Sequence, residues 1–139
     1  MRLIVDGNSY LNAALLRGVD HDQGTVVYDG EKRVQVNSAQ YGFDGFFEKI
    51  LADLERFDLA PRDVVVAWDG RNAKNRRRAF LERYKEGRDK HPAVSEQLNA
   101  AREMCTAALK DMGATVVWQD GMEADDVIGF ITKCAIDQR

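Results

Sequence analysis

The chain has 139 residues, 45% of them hydrophobic and 31% charged, with a formal net charge of −3, an ordinary globular profile with enough length for a buried core. No apolar run approaches the ~20 residues of a membrane span, and the stretch after Met1 is too short for a secretory signal. The two cysteines, Cys105 and Cys134, fall in helical pattern without metal-type spacing, so they read as buried thiols in a reducing cytoplasm.

In chain order, Arg2–Asp6 is a short apolar run without polar alternation, as in a strand buried on both faces. Asp6 stands at its C-terminal end, and Asn8 and Ser9 are placed to cap a helix over Tyr10–Arg17 that Gly18 stops. Gly24–Val36 holds two β-rich pieces around Asp29-Gly30, a hairpin pattern. From Ser38 to Phe57 the residues Phe43, Phe46, Phe47, Ile50, Leu51, Leu54 and Phe57 recur at helical spacing, a core-facing stripe. Asp63–Trp68 is a second buried strand, again closed by Asp and Gly (Asp69-Gly70). Ala93–Met112 is an amphipathic helix ended by Gly113, and Ala114–Trp118 a third apolar strand. The last helix, Glu123 to about Asp137, carries Val127, Ile128, Ile131 and Ala135 on its apolar face. This alternation predicts an α/β fold, a three-layer sandwich with a mostly parallel sheet, formed by residues 1–139 as one domain. No strand follows the last helix to cover its apolar face, so the sheet is expected to be incomplete at the C-terminus.

Charge is unevenly spread. From Arg71 to Lys90 nine basic residues (Arg71, Lys74, Arg76, Arg77, Arg78, Arg83, Lys85, Arg88, Lys90) face three acids, a balance of +6, leaving eleven basic and twenty acidic residues elsewhere, −9. Helix pairing at i,i+4 cannot absorb so one-sided an excess, which suggests a polyanion contact, nucleic acid, on segment 71–92.

The acids offer a second constellation. Gly121–Gly129, G-M-E-A-D-D-V-I-G, sets Glu123, Asp125 and Asp126 at a helix start. Two readings stand: an acid-rich helix N-terminus stabilised by the dipole, or a divalent-metal site, since hard cations take carboxylate oxygens at this density. Parallel strands end on the same side of their sheet, so Asp6 and Asp69 are expected to meet there and join the three acids.

These pieces together resemble the 5′-nuclease family, the phage flap endonucleases and the 5′→3′ exonuclease domain of bacterial DNA polymerase I, on a PIN-like fold. The likeness is carried by V-D-G-N-S-Y-L at Val5–Leu11, W-D-G at Trp68–Gly70, Y-K-E-G-R at Tyr84–Arg88 and G-M-E-A-D-D-V-I-G, in the family's order. It covers essentially this whole chain but only the family's N-terminal half. The resemblance implies hydrolysis of DNA phosphodiesters at a 5′ end or flap, or of an RNA primer, in replication or repair, in a bacterial or phage-infected cell. It implies one or two Mg²⁺ or Mn²⁺ ions on Asp6, Asp69, Glu123, Asp125 and Asp126, with Lys85 and Arg88 acting on the scissile phosphate. It also implies that Arg71, Lys74, Arg76, Arg77, Arg78, Arg83, Tyr84 and Lys90 contact DNA from a helical arch, with Tyr84 near the terminal base. The family continues into a G-D-x-D strand and a helix–hairpin–helix element that this sequence lacks. Three explanations follow: a second polypeptide completes the domain, the chain is a fragment of a longer one, or it is a reduced nuclease or non-catalytic DNA-binding remnant. An RNA-directed PIN-type ribonuclease is a further alternative, opposed by the basic Y-K-E-G-R arm.

Overall fold

A computed structural model describes residues 1–16, 24–74 and 91–138. Three short strands, β1 (Leu3–Asp6), β4 (Val64–Ala67) and β5 (Thr115–Val117), form a parallel sheet in the order β1-β4-β5. Asp6 lies opposite Ala67 and Ala67 opposite Val117, so all three strands end level. The register therefore brings their following loops to one edge of the sheet.

One sheet face carries three helices, α1 (Gly7–Leu15), α2 (Ala39–Phe57) and α3 (Pro92–Asp111), which also pack on one another. The core between them holds Val5, Val64 and Val66 from the strands, Leu11 from α1, Phe46 and Ile50 from α2, and Cys105 and Leu109 from α3. Trp68, just past β4, is fully buried with its ring stacked on Phe46 at 5.7 Å between centroids. On the other side α4 (Ala124–Asp137) lays Val127, Ile128 and Ile131 with Ala67 and Val117. The two cores alternate along β4, as the pleat requires, and the result is the expected three-layer α/β arrangement. Between α1 and α2 a hairpin of β2 (Gly24–Asp29) and β3 (Lys32–Asn37) turns at Gly30-Glu31, where Gly30 has φ +63°. Apart from β4, β1 pairs with no strand among the described residues.

Several expectations are corrected. The helix after β1 begins at Gly7, and its cap is Asp6, whose Oδ1 accepts from the Ser9 N–H at 2.9 Å; an aspartate with extended backbone outcompetes Asn8 and Ser9 for that place. Leu51 and Phe57 of the α2 stripe are exposed, because the 100° step per residue carries them off the packed face. Ala135 is exposed and Cys134 only half-buried, since α4 meets the short sheet through its first two turns. Cys105 is fully buried as expected, and burial pushes its thiol pKa up to about 12. Gly113 takes the left-handed conformation (φ +90°) expected after α3.

Candidate functional site

The loops after β4 and β5 are joined backbone to backbone. Trp68 N donates to Val117 O (2.9 Å), Gly70 N to Met122 O (2.9 Å) and Gly121 N to Arg71 O (2.7 Å). The approach is so close that a Cβ on Gly70 would lie 1.9 Å from the Gln119 carbonyl oxygen, and Gly121 adopts φ +79°. Arg71 adds a two-point clamp on Asp120, through its backbone N–H and Nη2, both at 3.1 Å. The backbone N–H of Arg71, foremost, holds the exposed Asp120 carboxyl below its ordinary pKa.

This joint aims Asp69. Its backbone N–H donates to Asn8 Oδ1 at 2.8 Å, and its Oδ1 accepts from the Ala124 N–H at 2.7 Å. Ala124 N is a free donor of the first turn of α4, so Asp69 caps that helix from a strand 55 residues away. Glu123, the residue at the N-cap position, makes no side-chain cap bond and is buried at 4% exposure. Asp125 and Asp126 fall in the first turn of α4, Asp125 exposed and Asp126 half-buried.

Asp6, Asp69 and Asp125, from three separate strand–helix junctions, lie within electrostatic reach of one another. Asp6 shows the strain: burial, foremost, raises its carboxyl pKa, the Ser9 N–H opposes this, and the Asp125 charge, hydrogen bonding with Asp125 and the Asp69 charge raise it further.

Among the described residues no three His, Cys, Asp or Glu side chains are already disposed around an ion. The donor chemistry nonetheless suits a hard divalent cation: carboxylate oxygens from Asp6, Asp69 and Asp125 within electrostatic reach of one another. Of the arch residues, Arg71 is present and engaged with Asp120, and Lys74 is half-buried. Arg76, Arg77, Arg78, Arg83, Tyr84, Lys85, Arg88 and Lys90 lie outside the described residues.

A model of the family described as 5′-3′ exonuclease, N-terminal resolvase-like domain, matches residues 1–139. The chain belongs to that family. Membership implies nuclease activity with DNA as substrate. No curated protein and no solved structure matches the chain. None of the described helices is long and apolar enough to cross a membrane.

Two participants escaped sequence reasoning. Asn8, read as a helix cap, instead fixes the Asp69 backbone. Arg102, on α3, lies with its guanidinium 5.2 Å from the Trp68 ring centroid and within electrostatic reach of Asp69. Burial lowers its pKa while Asp69 raises it. Its only sequence signal is its place one residue beyond core position Ala101, at the border of the apolar stripe.

Proposed function

We propose that this chain is the metal-binding half of a 5′-nuclease, a flap endonuclease or 5′→3′ exonuclease, that hydrolyses DNA phosphodiesters in replication or repair. The observation that carries the reading is the meeting of Asp6, Asp69 and Asp125 at the level ends of the parallel strands, in a chain of this family. Asp6, Asp69 and Asp125, with Glu123 and Asp126 beside them, would hold Mg²⁺ or Mn²⁺. Such an ion supplies a nucleophilic water at neutral pH and offsets charge on the phosphate.

The chain's own groups do the positioning. Ser9 N–H and Ala124 N–H each fix one oxygen of Asp6 and Asp69, leaving the other oxygen of each for ligation. The Gly70–Met122 joint keeps the two loops at fixed separation. In this proposal the family resemblance gives Lys85 and Arg88 the role of stabilising charge on the scissile phosphate and Tyr84 that of stacking on a terminal base. Arg76–Arg78, Arg83 and Lys90 draw the strand in by counterion release. A further segment, in a second polypeptide or in a longer form of this chain, is a candidate to add a strand at the edge of β1 that no described strand covers. A groove there, of about 380 Å³ and lined by Ile4, Val65, Ile131 and Ile136, supports this part of the reading.

The test is cleavage of a labelled 5′-flap DNA with Mn²⁺, with and without chelator, alongside calorimetric titration of Mn²⁺ into the protein. Asp125→Asn is expected to abolish cutting and weaken Mn²⁺ binding while sparing DNA binding. A chelator-insensitive activity, or full activity in Asp125→Asn, refutes the proposal. A second reading, a non-catalytic DNA-binding subunit or remnant, is decided by the same assay. DNA binding without Mn²⁺ binding or cleavage would establish it.

A further inference from the structure

A groove of about 990 Å³ opens beside the carboxylate cluster, between α3 and the loops that follow β4 and β5. Its inner end holds Asp69 and Trp68, its outer end Trp118, and one wall is the α3 face of Arg102, Thr106 and Lys110. Those three residues stand at i, i+4 and i+8, which aligns them in one row along the helix.

Arg102 is the informative member. Its guanidinium is half-buried and spread over the Trp68 ring at 5.2 Å, yet no hydrogen bond or ion pair to it occurs among the described residues. Five donors in a rigid fork, partly desolvated and with the Asp69 charge within electrostatic reach but no hydrogen-bond acceptor among the described residues, keep capacity for an incoming anion. The planar fork fits a phosphate in two-point contact. Eight residues further on, Lys110 is exposed, with Nζ 5.9 Å from the centroid of the half-exposed Trp118 ring. At 1.5 Å rise per residue the two cations are about 12 Å apart along the helix, the length of roughly three to four nucleotides of a stacked strand. Two acids also border the groove: Asp120 is already matched by Arg71, and Glu103 is exposed.

We infer that this groove is a single-strand track, in which Arg102 and Lys110 take backbone phosphates of the nucleotides flanking the cut and Trp118 offers a base its exposed ring surface. The inference rests on the nuclease reading and deepens it, because the track starts at Asp69 and leads away from the cluster along α3. Arg102 and Lys110 lie on α3, outside segment 71–92, so their contribution can be separated from that of the basic arm by substitution.

Trp68 and Trp118 are the only tryptophans in the chain and both line the groove, so intrinsic fluorescence reports its occupancy. The probe is a 5′-phosphorylated thymidylate strand of about eight nucleotides, titrated into the 139-residue chain in chelator at several salt concentrations. The wild type should show quenching. Arg102→Gln and Lys110→Gln should each weaken binding about tenfold and reduce the slope of log affinity against log salt by about 0.7. Thr106→Glu, which sets a carboxylate between the two cations, should weaken binding at least as much; it carries the test if Arg102→Gln does not fold.

Binding within twofold of wild type and an unchanged salt slope in Lys110→Gln and Thr106→Glu would overturn the track while leaving flap cleavage, and so the nuclease reading, intact. An Arg102→Gln protein that melts earlier but keeps the wild-type salt slope assigns Arg102 to packing on Trp68 and also overturns it. A wild type that neither binds nor cuts any strand removes the nuclease reading itself, and the track with it.

Discussion

Gly70→Ala tests the joint on which the site depends. The new Cβ would lie 1.9 Å from the Gln119 oxygen, 2.4 Å from its carbonyl carbon and 2.7 Å from Asp120 Cα, all backbone atoms that no rotamer change can move. The loops must separate by more than 1 Å to restore ordinary contact distances, on the order of the shifts that overpacking forces. Separation removes the Gly70 N–Met122 O bond and displaces Asp69 Oδ1 from Ala124 N. At about 1 kcal/mol for each hydrogen bond plus about 1–3 kcal/mol for backbone displacement, the loss is about 3–5 kcal/mol. Against a typical domain stability of about 5–15 kcal/mol that is a large fraction. Urea unfolding followed by circular dichroism measures it, and Mn²⁺ titration on the folded fraction shows whether Asp69 has moved. Asp120→Ala, which removes an exposed ion pair and the Arg71 N–H bond to its carboxyl, is the control and should cost about 1 kcal/mol or less. A Gly70→Ala protein within about 1 kcal/mol of wild type, with unchanged Mn²⁺ affinity, would refute the claim that this approach positions the site.

Asp6→Asn should be more stable than wild type at pH 7 without metal, because the folded state raises the Asp6 pKa and so disfavours its ionised form. The unfolded state then ionises first, and wild-type stability falls as pH rises through the folded value, so the difference should vanish below the ordinary aspartate range and reverse when Mg²⁺ is added; melting curves at three pH values check this. Tyr10 donates to Asp53 Oδ2 at 2.7 Å and burial, foremost, lifts its pKa to about 12. Tyr10→Phe should therefore cost about 1 kcal/mol in urea unfolding, and wild-type stability should fall between pH 10 and about 12, where only the unfolded tyrosine ionises. A chromogenic disulfide reagent at pH 8 should modify Cys134 and leave Cys105 intact until the protein is denatured, since burial holds the Cys105 thiol protonated; two fast thiols in the native protein would contradict the core assignment.

Elements whose burial is one-sided were legible in the sequence. The apolar runs around Val5, Val66 and Val116, the Phe46–Ile50–Leu54 spacing and the Ala101–Cys105–Leu109 spacing each follow from the period of the structure they build. Level strand ends follow from parallel pairing, so the meeting of Asp6 and Asp69 was foreseeable too. Contacts that depend on loop path rather than period were not. Asn8 holding the Asp69 backbone, Asp69 capping α4 and Arg102 lying on Trp68 all join residues 34 or more positions apart, and no local pattern encodes them. Asp6 as helix cap was missed for a different reason: three good capping types stand in succession, Asp6, Asn8 and Ser9, and only the backbone angle at Asp6 selects among them.

That choice of cap makes Asp6 answerable to two masters. One of its oxygens anchors the start of α1 through the Ser9 amide, while the carboxyl as a whole faces Asp125 and Asp69. Whatever enters the carboxylate cluster must tug on that amide, so the Ser9 nitrogen and its proton form a built-in NMR sensor of site occupancy. Asparagine at position 6 should preserve the anchor and silence the sensor, while alanine should lose both.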